Sequence, residues 1–274
     1  MDLDRVDAEV LYPTPRLSQA IISNRDVPLH VELVRAYNDW LADYVAHAPE
    51  RFGGLALLPN VGVAAAVDEL ERVMGRPGIR GVLIGAYPSG GLEPAREDDA
   101  IWARLVEAGL PLDIHVSLGL GMPSAHRSKL PGFGRFYDAP NRLVQMVFDG
   151  MFDRFPALQV VFAEVDCGWV PYVKEQIDNN YLRLAPAMGY RLPLLPSEYI
   201  ERHVHFAYIS DAYGLDNRQR IGVERMLWSS DYPHISADWP HSWRTIEAAF
   251  SGVPRPEREL ILAGNAARLY GFGS

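Results

Sequence analysis

Residues 225–234, Arg225-Met226-Leu227-Trp228-Ser229-Ser230-Asp231-Tyr232-Pro233-His234, give the first indication of the fold. A short apolar run is followed at once by a carboxylate and an imidazole, in a turn that contains proline. This order is typical of a buried strand whose C-terminal end carries chemistry. The same design recurs along the chain.

Six further apolar runs end in polar groups or in Gly/Pro turns. They span residues 8–12, 52–58, 80–84, 110–116, 159–163 and 204–209. Amphipathic stretches that predict helices lie between most of them, at residues 63–73, 98–108, 142–155 and 168–181. Strands that alternate with helices indicate an α/β fold with a buried parallel sheet, and the spacing favours a TIM-like (β/α)8 barrel. The count of seven strands is one short of eight.

Composition is compatible with one domain over residues 1–274. The chain has 274 residues with 48% hydrophobic content, and no linker-like shift in composition divides it. The net charge of −9 argues against nucleic acid or an anionic membrane as the main partner. We find neither a signal-peptide pattern nor an apolar run of about 18 residues, so we expect a soluble, cytoplasmic protein.

The segment of residues 117–140 is too long for an ordinary strand-to-helix connection. It is rich in glycine and contains Phe133, Phe136 and Tyr137 as well as His126. We predict a substrate lid with aromatic walls. The alternative is a surface excursion that packs on a neighbouring subunit.

The strand assignments bring His115, Glu164, Asp211 and Asp231 to one mouth of the barrel, because the C-terminal ends of parallel strands converge there. An imidazole with carboxylates can bind a divalent metal, which lowers the pKa of a bound water molecule. The same groups can also form a metal-free acid/base set. For Asp211 a third role is open, since an aspartate after a strand often caps the next helix.

Other polar residues are expected to be structural. His203 and His205 form a His-x-His pattern, but they lie at the start of their strand, opposite the mouth. The single cysteine, Cys167, excludes an internal disulfide and is expected to be an inert thiol. Three arginines are candidates for binding a substrate carboxylate, although a solvated surface charge is favoured for each: Arg127, Arg135 and Arg142.

Taken together, these segments resemble a known family. The matching stretches are residues 7–14, 51–56, 81–84, 110–115, 161–164, 168–171, 230–234 and 264–271. The chain is similar to the amidohydrolase-related branch of the metal-dependent amidohydrolase superfamily. That group includes aromatic-acid decarboxylases related to aminocarboxymuconate semialdehyde decarboxylase.

The resemblance implies an eight-stranded barrel enzyme with a divalent metal, zinc first and manganese as the alternative. His115 and Asp231 would be metal ligands, and Glu164 would be a ligand or an acid/base group. His234 would contact the substrate or support a ligand. The implied reaction is hydrolysis or decarboxylation of a small cyclic or aromatic carboxylated molecule. The implied assembly is a homodimer.

One departure from the family is large. Its members begin with a strand that carries His-x-His or Glu-x-His, and this sequence starts where their second strand does. Three explanations compete: an upstream start codon, which we favour, closure of the barrel by exchange with a second subunit, or a metal-free descendant. The alternative function is therefore a non-catalytic barrel, without metal, that acts as a binding or partner subunit.

Overall fold

The computed structural model describes residues 1–116, 118 and 138–273. The lid expected at residues 117–140 falls largely outside the described residues. The strands are β1 (Glu9–Leu11), β2 (Phe52–Leu57), β3 (Ile79–Leu83), β4 (Leu112–His115), β5 (Val160–Ala163), β6 (Val204–Tyr208) and β7 (Met226–Trp228). They form one curled parallel sheet in the order β1 to β7. All seven predicted strands are confirmed.

Helices cover the sheet between successive strands. In chain order they are α1 (Pro15–Ile22), α2 (Val27–Val45), α3 (Val63–Val73), α4 (Asp99–Ala108), α5 (Asp138–Phe148), α6 (Met151–Arg154), α7 (Val170–Met188), α8 (Pro196–His203), α9 (Ala212–Asp216), α10 (Arg218–Ile221), α11 (Ser242–Ala249), α12 (Arg255–Glu259) and α13 (Asn265–Tyr270). Three short 3-10 turns (Asp2–Asp4, Arg96–Asp98, Val223–Arg225) and a π-helical turn (Leu260–Gly264) complete the assignment. No helix among the described residues is long and apolar enough to cross a membrane.

Local sequence sets the helix boundaries. Asp26 caps α2 by accepting a hydrogen bond from the Leu29 amide at 3.1 Å, and Pro28 lies in the first turn. Gly109 ends α4 in a left-handed conformation. The helix predicted at residues 142–155 is instead split into α5 and α6, because Gly150 has a φ of 73° that a continuous helix cannot contain.

The core lies inside the sheet and between the sheet and the helices. Strands β4, β5 and β6 are buried along their whole length. Apolar side chains at 0% exposure fill both faces, among them Leu55, Val82, Phe162 and Phe206. Within the described residues, β1 and β7 are the edges of the sheet. The strands therefore all point the same way and present their C-terminal ends on one side.

Candidate metal centre

Four of the predicted site residues lie together at the C-terminal ends of the strands, namely His115, Glu164, Asp231 and His234. His115 is the last residue of β4, Glu164 follows β5, and Asp231 follows β7 by three residues. The His115 Nε2 atom lies 2.9 Å from Glu164 Oε1, and His234 Nδ1 lies 2.7 Å from Asp231 Oδ1. Glu164, Asp231 and His234 each place one ligand atom within 4.8 Å of the others.

The backbone is constrained at the same place. Val116, Glu164 and Asp231 have φ values of 62°, 58° and 54°, in the left-handed region that residues with a side chain rarely adopt. For Val116, a β-branched residue, this conformation is a clear outlier. Such strain persists only where surrounding contacts over-determine it, and it concentrates at functional sites. The conformations turn the chain sharply where the strands end.

The His115 ring is fixed by the end of β1. Its Nδ1 lies 3.1 Å from the carbonyl oxygen of Pro13, to which a protonated Nδ1 donates. The ring of Tyr12 packs against it with centroids 5.1 Å apart. A neutral imidazole that donates through Nδ1 presents a lone pair at Nε2. The bond to Pro13 therefore leaves Nε2 as the atom that faces the Glu164 carboxylate.

The surroundings of the Nε2 lone pair indicate whether a metal ion fits this site. His115 Nε2 is buried and has no hydrogen-bond partner among the described residues, although a Glu164 oxygen lies 2.9 Å away. Two electron-pair donors that converge without a hydrogen between them are stabilised by a shared cation. With the Asp231 carboxylate and the His234 imidazole nearby, the donors suit a divalent ion.

Asp231 is held from two sides. His234 Nδ1 contacts Oδ1, and the Ser236 hydroxyl donates to Oδ2. Burial raises the pKa of Asp231, and the neighbouring Glu164 carboxylate raises it further. Two carboxylates in such contact repel each other when both are ionised, and a nearby cation would offset that repulsion.

Sequence reasoning missed the residues beneath His115. Asp113 lies two residues earlier on β4, and its Oδ1 accepts hydrogen bonds from the Tyr12 and Tyr270 hydroxyls at 2.5 and 2.6 Å. Burial raises the pKa of Asp113 to about 7, while the two hydroxyl donors oppose the rise. The available signal was strand alternation, which places Asp113 on the same face as His115. Ser236 was missed as well.

Asp211 lies near the mouth but does another task. Its Oδ1 accepts from the Gly214 amide and caps α9, and its Oδ2 accepts from the amides of Cys167 and Gly168, all at 2.7 Å. The carboxylate is thus occupied by three backbone donors, in agreement with the capping alternative. Burial raises the pKa of the Cys167 thiol, which fits the expected inert cysteine.

The histidines at the start of β6 make structural contacts. His203 stacks on Phe152 with centroids 4.5 Å apart, and its Nδ1 lies 2.9 Å from the Leu158 carbonyl. His205 Nε2 lies 3.1 Å from Gln159 Oε1 and 3.0 Å from Arg225. These contacts match the structural role that the sequence favoured.

The expectation for Arg142 was wrong. The residue is only 5% exposed rather than a solvated surface charge. Its guanidinium donates to Asp138 Oδ1 at 3.1 Å and to the Leu92 carbonyl. These partners neutralise and hold the charge inside the protein. Arg127 and Arg135 lie outside the described residues.

The chain is similar to known proteins over almost its whole length. An amidohydrolase family model matches residues 17–272. A gamma-resorcylate decarboxylase from Rhizobium sp. (strain MTP-10005) is 24% identical, and the match covers 98% of this chain and 84% of that protein. A 2-amino-3-carboxymuconate-6-semialdehyde decarboxylase from Dictyostelium discoideum is 25% identical, with 99% of this chain and 75% of that protein covered.

A solved structure shows the same fold. It is a dihydroxybenzoic acid decarboxylase from Polaromonas sp. JS666 with bound manganese and the inhibitor 2-nitroresorcinol. The TM-score is 0.82 at 23% identity, and the superposition covers all of this chain and 84% of that one. The curled sheet of seven described strands is therefore part of a TIM-barrel architecture.

Proposed function

Since the chain belongs to the amidohydrolase family, we propose that it is a metal-dependent decarboxylase of a small aromatic hydroxy acid. The relatives named above are decarboxylases of carboxylated ring compounds or of a carboxylated semialdehyde. This proposal selects decarboxylation from the two reactions that the resemblance leaves open. The family match and the cluster of donors speak against the non-catalytic alternative.

The observation that carries the proposal is the position of Glu164 between the other donors. One of its oxygens lies 2.9 Å from His115 Nε2, and Glu164, Asp231 and His234 place ligand atoms within 4.8 Å of one another. We propose that His115 and Asp231 hold the metal and that Glu164, which contacts both, is the acid/base group beside it. Imidazole and carboxylate donors suit zinc and manganese alike. When bound there, a divalent ion would supply positive charge that attracts an anionic substrate and stabilises negative charge as it develops.

The protein's own groups manage the proton. In decarboxylation the bond between the ring carbon and the carboxylate breaks, carbon dioxide leaves with neither electron of that bond, and the ring carbon takes up one proton. Glu164 is the proposed donor, because it follows β5 directly and one of its oxygens lies 2.9 Å from His115 Nε2 at the site. His234, whose side chain is 40% exposed and lies 2.7 Å from Asp231, connects the site with solvent and returns the proton after each turnover.

Partners and location follow the same proposal. We propose a small-molecule substrate, a homodimer and a cytoplasmic location. Exposed apolar side chains on α7, at Leu182, Leu184 and Met188, provide a surface that a second copy can cover. A lid at residues 117–140 and a single domain remain predictions from the sequence. The molar mass of the purified protein by light scattering tests the dimer.

The experiment combines elemental analysis with an assay. The purified chain is loaded with Mn²⁺ or Zn²⁺, its metal content is measured by mass spectrometry, and a panel of ortho-hydroxybenzoates is screened for carbon dioxide release. We expect about one metal ion per chain, because the residues that the structure describes contain one such cluster of ligands, and release from at least one substrate. Metal binding with hydrolysis of an ester or amide panel instead would replace decarboxylation by hydrolysis. A folded chain that binds neither ion would overturn the proposal.

A further inference from the structure

Asp113 is a buried carboxylate that the proposed reaction does not use. It is 0% exposed and lies on the same face of β4 as His115. Its Oδ1 accepts two hydrogen bonds, whereas its Oδ2 has no hydrogen-bond partner among the described residues. A carboxylate in this environment destabilises a fold unless it is well compensated. Its contacts therefore indicate a role.

Those contacts lead to His115 through Tyr12. The Tyr12 hydroxyl is bound to Asp113 at 2.5 Å, and its ring packs on the His115 ring. The next residue, Pro13, provides the carbonyl that faces His115 Nδ1 at 3.1 Å. One short segment after β1 thus touches the imidazole at its face and at its far nitrogen, and Asp113 anchors that segment from below.

We propose that Asp113 and Tyr12 are positioning residues, which set the tautomer and the orientation of the His115 imidazole. With the Tyr12 hydroxyl anchored, the Pro13 carbonyl stays in line with Nδ1, so Nε2 keeps its lone pair toward Glu164. Without the anchor, the ring can rotate and the proton can move to Nε2. The inference rests on the proposed metal site, because a fixed Nε2 lone pair serves a ligand.

The first measurement is the Mn²⁺ dissociation constant of the metal-free full-length protein by titration calorimetry. We expect Tyr12→Phe to weaken Mn²⁺ binding about tenfold, the scale on which partners of metal ligands act. Asp113→Leu should weaken binding similarly, because it removes the acceptor. Asp113→Asn should bind nearly as the wild type does, because its side-chain oxygen can still accept from Tyr12.

The matched control is Tyr199→Phe. The Tyr199 hydroxyl also donates to an aspartate, Asp153, at 2.5 Å, but this pair lies between α8 and α6. Both Tyr→Phe variants lose one tyrosine–aspartate hydrogen bond. Only the variant at residue 12 should lose Mn²⁺ affinity. Equal losses in both would assign the effect to general destabilisation and overturn the proposal.

A second readout does not need a metal. Nitrogen-15 NMR of the imidazoles, with the His115 signals assigned through His115→Gln, reports which ring nitrogen carries the proton. We expect a single Nδ1-protonated form in the wild type and a mixture of tautomers in Tyr12→Phe. An unchanged Nδ1-protonated form in Tyr12→Phe would overturn the positioning role. If the wild type binds no metal but the tautomer still shifts, the positioning role stands and the proposed function fails.

Discussion

The two ends of the barrel each hold a pair of imidazoles, but the groups around them differ. At the C-terminal ends of the strands, His115 and His234 face the carboxylates of Glu164 and Asp231. At the opposite end, His205 faces the neutral Gln159 amide and the Arg225 guanidinium. Carboxylates attract a cation and a guanidinium repels one. The partners of a buried histidine, more than the histidine itself, distinguish a candidate metal site from a structural contact.

The pKa shifts of the residues at the two ends also differ. Burial, together with the charges of Arg225 and Arg268, lowers the pKa of His205 to about 3, so this imidazole stays neutral in the folded protein at neutral pH. At the other end, burial and the neighbouring Glu164 carboxylate raise the pKa of Asp231. One end keeps a neutral imidazole beside a guanidinium, whereas the other places carboxylates beside its imidazoles.

Substitution of the proposed ligands should have the strongest effect, and it directly tests the difference between the two ends of the barrel. Asp231→Asn or His115→Gln should remove the bound metal and lower the decarboxylation rate by at least about 100-fold, since loss of a ligand's partner alone costs 10–100-fold. His205→Gln should keep the metal. Elemental analysis and carbon dioxide release are measured on all three. Metal loss in His205→Gln equal to that in His115→Gln would erase the distinction between the two ends.

Glu164→Gln separates proton delivery from the shape of the site. The amide is nearly the same size, but it cannot share a proton with Asp231. We expect kcat to fall about 100-fold, as for loss of a general acid, while Mn²⁺ still binds. Steady-state kinetics across pH, with metal content as the control, check this. An unchanged kcat would rule out Glu164 as the proposed proton donor.

Ser236→Ala probes a weaker support on the same side. The Ser236 hydroxyl donates to Asp231 Oδ2, so its loss should weaken metal binding or lower kcat about tenfold. Ser236→Thr, which retains the hydroxyl, should keep most of the wild-type metal affinity and kcat. Ser197→Ala is the matched control, because the Ser197 hydroxyl donates to Asp178 at 2.6 Å elsewhere in the protein. A similar effect of the Ser197 variant would contradict a specific role for Ser236.

The smallest effect concerns stability against pH, and its sign differs between the ends. The folded pKa of His205 lies near 3, below the unfolded value near 6.5, so protons bind the unfolded chain more strongly and stability is lost as pH falls from about 6.5 to about 3. The folded pKa of Asp113 is about 7, above its unfolded value of 3.8, so its contribution is lost as pH rises between those values.

Two variants separate these contributions. His205→Gln should reduce the loss of stability on the acid side by at least about 1 kcal/mol, the equivalent of one pKa unit. Asp113→Asn should reduce the loss of folding stability that occurs as pH rises from about 4 to about 7. Urea unfolding at a series of pH values gives the difference between each variant and the wild type. Difference curves with the same slope would show that the two ends do not differ in this way.

Much of this could be predicted from the sequence. The seven strands were recognisable because parallel strands buried on both faces are continuous apolar runs. His115, Glu164 and Asp231 were recognisable because each follows such a run, and the fold brings the ends of these runs together. His234 was identified only through the family resemblance. The residues on which the metal proposal depends could therefore be named from the sequence.

The remainder depends on contacts between distant residues. Tyr12 and Asp113 are 101 residues apart, and no local pattern pairs them. The burial of Arg142 depends on the Leu92 carbonyl, 50 residues away. Ser236 follows Asp231 by five residues, but only the turn between them brings its hydroxyl to the carboxylate. Sequence patterns locate the reactive groups, whereas the groups that hold them become visible only in three dimensions.

The bond between Tyr270 and Asp113 has a consequence for biogenesis. It joins residues 157 positions apart, so α13 must dock before the layer beneath His115 is complete. A chain whose synthesis has passed His115 and Asp231 but not Tyr270 holds the proposed ligands without the full layer that supports His115. Such a nascent chain should bind metal weakly. The support of the proposed site is therefore completed only when the last helix has been made and has docked.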